Sequence, residues 1–143
     1  MFRYLMDYPK YFNPKYTLNL HGLEKYFNFL SSLYRIKKLP KILMLSGPKG
    51  IGKSTLINHF LFSIFDKENY NMNELYLSEK SIFYKQFKNE IFQNIIYLKG
   101  SDFKSIKVDD IRNLKSQILK SSIINNDRFT ILDDIELFNI NSL

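Results

Sequence analysis

The apolar positions of the chain follow two different spacings. Apolar residues that recur every three or four positions predict amphipathic helices, and this spacing occupies residues 22–34 and 55–65. Short apolar runs rich in β-branched and aromatic residues predict buried strands, and these runs are residues 41–46, 94–98 and 128–132. Helices and strands therefore alternate along most of the chain.

The segments between these elements complete the prediction. Residues 74–93 are ambiguous, with a helix favoured in their second half, and a further helix is predicted over residues 108–119, where Asp109 and Asp110 suit its first turn. Polar turns are predicted at residues 66–72 and 125–127. The resulting order predicts an α/β fold with a parallel sheet and flanking helices. Residues 1–19 read as an extended lead-in, and residues 20–143 form the domain.

Composition narrows the class of protein. A chain of 143 residues, 45% of them apolar, is the size of one globular domain. The absence of cysteine excludes disulfides and cysteine-bound zinc, and with only two histidines no zinc is expected. No apolar run approaches the roughly 20 residues of a membrane span, and the start does not resemble a secretion signal. These features predict a cytoplasmic protein without a membrane partner.

The net charge of +7 and pI near 9.5 have two explanations that stay open. A basic protein suits a nucleic-acid partner. The chain is also rich in Lys, Asn, Ile, Phe and Tyr and has no Ala, so lysine usage can reflect A/T-rich codons instead. The lysines are spread along the chain, which favours the second explanation.

Residues 47–54, the glycine loop, match the pattern G-x-x-x-x-G-K-[ST] in full. A predicted strand precedes the loop and a predicted helix follows it, as a phosphate-binding loop requires. Backbone N–H groups and the helix N-terminus would hold the phosphates of ATP, Lys53 would reach the β- and γ-phosphates, and Ser54 would bind Mg²⁺. The alternative is a Gly-Pro turn that binds nothing. The predicted nucleotide-binding residues are Gly47, Pro48, Lys49, Gly50, Ile51, Gly52, Lys53, Ser54 and Thr55.

Two aspartates supply the second half of the predicted site. Asp133 ends the third apolar run, and the carboxyl end of a parallel strand lies at the same sheet edge as a phosphate-binding loop. It is therefore predicted to bind the nucleotide's Mg²⁺ through water. Asp134 follows, at the position where many P-loop ATPases have the longer Glu that polarises the attacking water. Asp134 is either a weak catalytic base or a cap of the next turn, so nucleotide binding is better supported than hydrolysis.

Taken in order, these segments resemble the N-terminal part of bacterial clamp-loader AAA+ subunits, most closely the delta-prime family of DNA polymerase III. The resemblance covers most of residues 20–143. It rests on the segments 20–24, 39–53, 106–114 and 128–139. It implies a P-loop NTPase (AAA+) fold with a sheet ordered 5-1-4-3-2.

The chain departs from the family in several places. Lys41 replaces the usual His, and an aromatic-rich insert at residues 66–93 stands where many relatives have a cysteine zinc module. The sequence stops at Leu143, before the family's last strands, arginine finger and lid domain, so the domain is expected to be incomplete and poorly stable alone. In that sheet order one missing strand would separate the strand predicted at residues 41–46 from the strand predicted at residues 128–132, which leaves a gap of about 10 Å.

The resemblance implies a subunit of the complex that loads the sliding clamp onto primed DNA. The implied cofactors are ATP and Mg²⁺. The implied partners are other clamp-loader subunits, the sliding clamp and primer-template DNA. The gamma/tau motor ATPase of the same complex is the close alternative, although Asp134 and the missing cysteines argue mildly against it. A P-loop nucleotide or metabolite kinase is more remote, and a P-loop GTPase lacks support.

Overall fold

The computed structural model describes residues 13–92, 94–100, 116 and 127–137. Within these residues the helices are α1 (Glu24–Arg35), α2 (Lys53–Phe65) and α3 (Ile82–Lys88). The strands are β1 (Tyr70–Asn71), β2 (Tyr76–Leu77), β3 (Ile95–Lys99) and β4 (Phe129–Asp133). Short 3-10 turns occupy Pro14–Tyr16 and Ile135–Leu137. The chain divides into two compact units, Met1–Ile91 and Phe92–Leu143.

The two helices predicted from apolar spacing are confirmed. In α1 the buried residues Phe27 and Leu30 lie three positions apart, on the side that faces the core of the first unit. Glu24 in the first turn and Arg35 in the last turn complement the helix dipole. α2 is buried over most of its length and forms the centre of the first unit, so this helix is held by the packing around it.

An aromatic cluster packs α3 onto α2. The ring of Phe62 is fully buried, with ring centroids 5.0 Å from Phe87 and 6.0 Å from both Phe83 and Tyr84. The Ser81 hydroxyl caps α3 by accepting a hydrogen bond from the Tyr84 N–H at 2.9 Å. A helix in the second half of residues 74–93 is therefore confirmed, and the aromatic-rich insert contributes to the core.

The antiparallel hairpin β1–β2 differs from the sequence prediction, which assigns residues 66–72 to a turn. Its strands are two residues long, too short to show a period-2 pattern. Leu18 and Leu20 extend the hairpin. The Leu77 N–H donates to the Leu18 carbonyl at 2.9 Å, and the Leu20 N–H donates to the Leu75 carbonyl at 3.0 Å. The described part of the lead-in is thus hydrogen-bonded into the first unit.

A histidine lies in this core. His59 is fully buried, with Nε2 at 3.1 Å from the Thr17 carbonyl and Nδ1 at 3.0 Å from the Tyr70 hydroxyl. Because a carbonyl only accepts, Nε2 carries the proton and donates it, and Nδ1 accepts from the Tyr70 O–H. Burial disfavours the charged imidazolium and lowers the pKa of His59 to about 4. Burial likewise raises the pKa of Tyr70.

The strand predicted at residues 41–46 is wrong. This segment has no regular structure, and its apolar side chains face solvent, with Ile42 90% and Met44 77% exposed. A strand needs a neighbour to bond its backbone N–H and C=O groups. Among the described residues no strand pairs with this segment. The apolar run therefore has no regular structure and is largely exposed.

In the second unit β3 and β4 pair in parallel, with Ile95 opposite Phe129 and Lys99 opposite Asp133. The strands predicted at residues 94–98 and 128–132 are confirmed to within one residue, and so is their parallel pairing. The described residues therefore form a small α/β protein with a parallel two-stranded sheet and three helices. The predicted helix at residues 108–119 lies outside the described residues except for Ser116, which is helical, and so does most of the turn at 125–127.

No helix in the described part of the chain is both long enough and apolar enough to cross a bilayer.

Candidate nucleotide site

The glycine loop joins the exposed segment 41–46 to α2. Gly47, Gly50 and Gly52 have φ angles of +154°, +85° and +93°. These values lie in the region that glycine adopts at little cost and that side chains disfavour. Gly52 is also held close to a neighbour, since a Cβ there would lie 3.0 Å from Leu23 Cδ1. The glycines of the pattern thus occupy positions where the backbone needs them.

The Lys53 side chain is hydrogen-bonded to the first residues of the glycine loop. Its Nζ donates hydrogen bonds to the carbonyl oxygens of Gly47 at 2.8 Å and Pro48 at 3.0 Å. The ammonium therefore lies over the mouth of the loop, between its first residues and the start of α2. Ser54 and Thr55 follow in the first turn of the helix, half-buried. Lys53 and the glycines thus lie together in the loop, and their role in nucleotide binding stays a prediction.

The N-terminus of α2 is suited to an anion. Its cap residue, Gly52, has a left-handed backbone, and no side chain of the described residues caps the helix start. The first turn contains no acidic residue, and Lys49 stands exposed in the loop. The first N–H groups of a helix have no partner within the helix, and the helix dipole adds partial positive charge there. Backbone and lysine together make this end of α2 electropositive.

The turn before α1 lies against the glycine loop. Gly22 has a φ of +74°, and its N–H donates to Glu24 Oε1 at 2.8 Å. Backbone hydrogen bonds from Glu24 itself and from Gly22 hold the pKa of the Glu24 carboxyl below its usual value. This tight turn places the Leu23 side chain beside Gly52. Leu23 was not among the predicted site residues, and a lone leucine at a helix start gives no signal in sequence.

Asp133 is the last residue of β4, in the second unit. Its half-buried carboxylate accepts a hydrogen bond from the Tyr97 hydroxyl to Oδ2 at 2.5 Å and another from the Asp134 N–H to Oδ1 at 3.1 Å. The strand-end position predicted for Asp133 is confirmed. Its partner Tyr97, on β3, was not predicted, because cross-strand pairing depends on a register that a single sequence does not reveal.

Asp134 has a left-handed backbone, with a φ of +51°. Its carbonyl accepts from the Leu137 N–H at 2.9 Å and so begins the 3-10 turn after β4. Gly100, buried at the end of β3, leaves room for this turn, since a Cβ there would lie 2.3 Å from the Asp134 carbonyl oxygen. The catalytic role of Asp134 stays a prediction, and the sequence marks Gly100 only as a strand end.

A concavity lies elsewhere in the first unit. Its volume is about 350 Å³, and the Lys88 ammonium lies 4.9 Å and 5.3 Å from the ring centroids of Tyr16 and Tyr84. Glu79 and Lys85 complete its lining. None of the predicted site residues lines it.

Comparison with known proteins decides the family. A family model described as DNA polymerase III, delta subunit, matches residues 22–143, which is most of the chain. The chain belongs to the DNA polymerase III delta-subunit family. The match includes the glycine loop, β3 and β4. No curated protein and no solved structure matches the chain.

Membership of the DNA polymerase III delta-subunit family makes the chain a clamp-loader-type protein of DNA replication. The small α/β fold with its parallel strand pair is consistent with the AAA+ domain of such subunits. Residues 106–114, which carried part of the sequence resemblance, lie inside the family match but outside the described residues.

Proposed function

We propose that this chain is a delta-prime-type clamp-loader subunit that binds ATP with Mg²⁺. The observation that carries the ATP proposal is the electropositive start of α2. There three glycines of positive φ, a helix N-terminus that no described side chain caps and the Lys53 ammonium converge on one loop. These are the groups that recognise a triphosphate through its charge and its oxygens.

In the proposed site the loop N–H groups hold the phosphates, and Lys53 exchanges its bonds to the loop carbonyls for phosphate oxygens. The Ser54 hydroxyl and the Asp133 carboxylate, the latter through water, are proposed to hold Mg²⁺. Hydroxyl and carboxylate oxygens are hard ligands of the kind that Mg²⁺ prefers. When bound, Mg²⁺ would neutralise phosphate charge.

The proposed partners are the other clamp-loader subunits, the sliding clamp and, through the assembled complex, primer-template DNA. The cytoplasm is the proposed location. Asp134 in place of a glutamate supports binding without efficient hydrolysis, because the shorter side chain holds its carboxylate back from an attacking water. Misplacement of a catalytic group by about 1 Å can cost about 100-fold in rate. The gamma/tau motor subunit, which hydrolyses ATP, is the alternative.

The test is ATP affinity with and without the Lys53 ammonium. Binding of a fluorescent ATP analogue to the wild-type chain and to Lys53→Ala should differ by about 10- to 100-fold, since a hydrogen bond to a charged group contributes about 1.5–3 kcal/mol. Lys67→Ala, which removes an exposed lysine just after α2, is the matched control and should bind as the wild type does.

Equal affinity of the wild type and Lys53→Ala would contradict nucleotide binding at this loop. A turnover assay on the same preparations separates the two clamp-loader assignments. Slow or absent ATP hydrolysis supports the delta-prime type. Steady turnover that Asp134→Asn abolishes would favour the gamma/tau motor.

A further inference from the structure

Helix α1 carries a line of exposed apolar side chains in addition to its buried ones. Tyr26, Phe29 and Ile36, the last of which caps the end of the helix, are 58%, 60% and 54% exposed. Leu33 lies between Phe29 and Ile36 and is half-buried. The spacing of three, four and three residues places these side chains along one line of the helix, as in the seam of a coiled coil. We call these four residues the α1 stripe.

The α1 stripe is distinct from the face that holds the helix in the core. Phe27 and Leu30 are buried on that face. At 3.6 residues per turn the centre of the stripe lies roughly 110° around the helix from the centre of the buried pair. Single exposed apolar residues are ordinary on a protein surface, whereas a contiguous set marks an interaction site. Packing of the first unit accounts for Phe27 and Leu30 but leaves the stripe unexplained.

Basic residues border the α1 stripe. Lys25 lies beside it in the first turn of α1, and further exposed basic residues follow at and after the last turn, namely Arg35, Lys37, Lys38 and Lys41. None of these five residues forms an ion pair within the described part of the chain. Glu24, the acidic residue of this stretch, lies on the opposite side of the helix and accepts a hydrogen bond from the Gly22 N–H. A partner that covers the stripe therefore meets positive charge at its edges.

We propose that the α1 stripe docks an acidic amphipathic helix of a partner protein. A helix that lays its own apolar seam on the stripe buries these side chains, and acidic residues beside that seam face Lys25 and the basic end of α1. A second copy of this chain would instead bring like charges together, which disfavours self-association through the stripe. The proposal does not depend on nucleotide binding at the glycine loop.

Two other classes of occupant fit the α1 stripe less well. Single-stranded nucleic acid binds by stacking its bases on aromatic rings, and Leu33 and Ile36 are aliphatic. A membrane surface takes up a helix with a broad apolar face, whereas the exposed apolar part of α1 is a narrow seam. Charge alone would suit all three occupants, so the shape and composition of the stripe favour a helix.

The test measures the binding of a synthetic helix to the full chain. The acidic probe is a fluorescein-labelled peptide of about three heptads, with Leu at positions a and d and Glu beside them. The matched control peptide has Lys in place of each Glu. In fluorescence anisotropy at low salt the acidic probe should bind at least about tenfold more tightly than the basic peptide, and added salt should weaken its binding.

Variants of the chain locate the binding surface. Phe29→Ser and Ile36→Ser should each weaken binding of the acidic probe about tenfold, because each removes an apolar anchor. Ile82→Ser, at an isoleucine that is 72% exposed on α3, is the matched control and should bind as the wild type does. Lys25→Glu should weaken binding at low salt and much less at high salt. Because all of these side chains are exposed, urea unfolding of the variants should match that of the wild type.

Several outcomes would overturn the proposal. One is equal binding of the acidic and basic peptides, and another is binding by Phe29→Ser and Ile36→Ser that equals that of Ile82→Ser. Tighter binding of a labelled oligothymidylate, or of vesicles containing phosphatidylserine, that Phe29→Ser abolishes would assign the stripe to nucleic acid or to a membrane. Dimerisation in analytical ultracentrifugation that Phe29→Ser removes would assign it to a second copy. A loss of stability in isolated Phe29→Ser would show that the chain itself covers the stripe.

Discussion

Residues 41–46 and β4 are two apolar segments of similar length, and only β4 belongs to a sheet. β4 pairs with β3 along its whole length, and the Phe129 N–H donates to the Asn94 carbonyl at 2.9 Å just before the ladder. Residues 41–46 have no such neighbour among the described residues, and Ile42 there is 90% exposed. Apolar content makes a strand possible, but a partner for its backbone decides whether it forms.

The comparison also shows that the first unit does not depend on a sheet at residues 41–46. Its core consists of α2, the aromatic cluster around Phe62 and the short hairpin. Changes inside that core or at the end of the β3–β4 ladder should therefore cost far more stability than changes in the exposed segment.

Acidification should destabilise the first unit, because His59 is buried in its neutral form. The pKa of His59 is about 4 in the folded state and rises to its ordinary value of 6.5 on unfolding, so the unfolded state binds more protons between these values. The stability that this residue contributes should be complete above pH 6.5 and fall by about 3 kcal/mol as the pH drops towards 4. Urea unfolding across this pH range, followed by circular dichroism, measures the effect.

The histidine variants identify the source of that slope. His59→Asn should be less stable at neutral pH and lose most of the slope between pH 6.5 and 4. His21→Asn, at the exposed second histidine, should keep it. An unchanged slope in His59→Asn would show that other groups cause the acid sensitivity.

Gly100→Ala should weaken the pairing of β4 with β3, and so bring β4 closer to the unpaired state of residues 41–46. The added Cβ would lie 2.3 Å from the Asp134 carbonyl oxygen and 3.0 Å from Leu137 Cβ, so the turn after β4 must move. We expect a loss of about 2 kcal/mol in the second unit. Faster hydrogen exchange in peptides that cover β3 and β4 measures it. Lys99→Ala, at the exposed neighbouring residue, is the control, and equal exchange in the two variants would contradict the prediction.

Ile42→Lys should have almost no effect. The side chain is 90% exposed, so its replacement should change the free energy of unfolding by less than about 0.5 kcal/mol. Ile131→Lys, at the half-buried centre of β4, should cost several times more. A large loss from Ile42→Lys would mean that residues 41–46 are covered in solution and that the contrast with β4 does not hold.

The elements that could be predicted from sequence are those with a local cause. The spacing of Phe27 and Leu30 predicts α1, and the strand-end position of Asp133 follows from the apolar run before it. The hairpin was missed because two-residue strands have no period, and residues 41–46 were misassigned because pairing is not a local property. Tyr97 was missed for the same reason, since its hydroxyl meets Asp133 only through the β3–β4 register.

The hydrogen bonds of the lead-in bear on where the folded domain begins. The family match starts at residue 22, yet the Thr17 carbonyl is the acceptor for the His59 N–H, and Leu18 and Leu20 bond to the hairpin. A chain trimmed to the family boundary would retain a buried imidazole N–H with no acceptor from Thr17, and the edge of β2 would be uncovered. The segment by which the family is recognised and the segment that folds are thus different lengths of polypeptide in this protein.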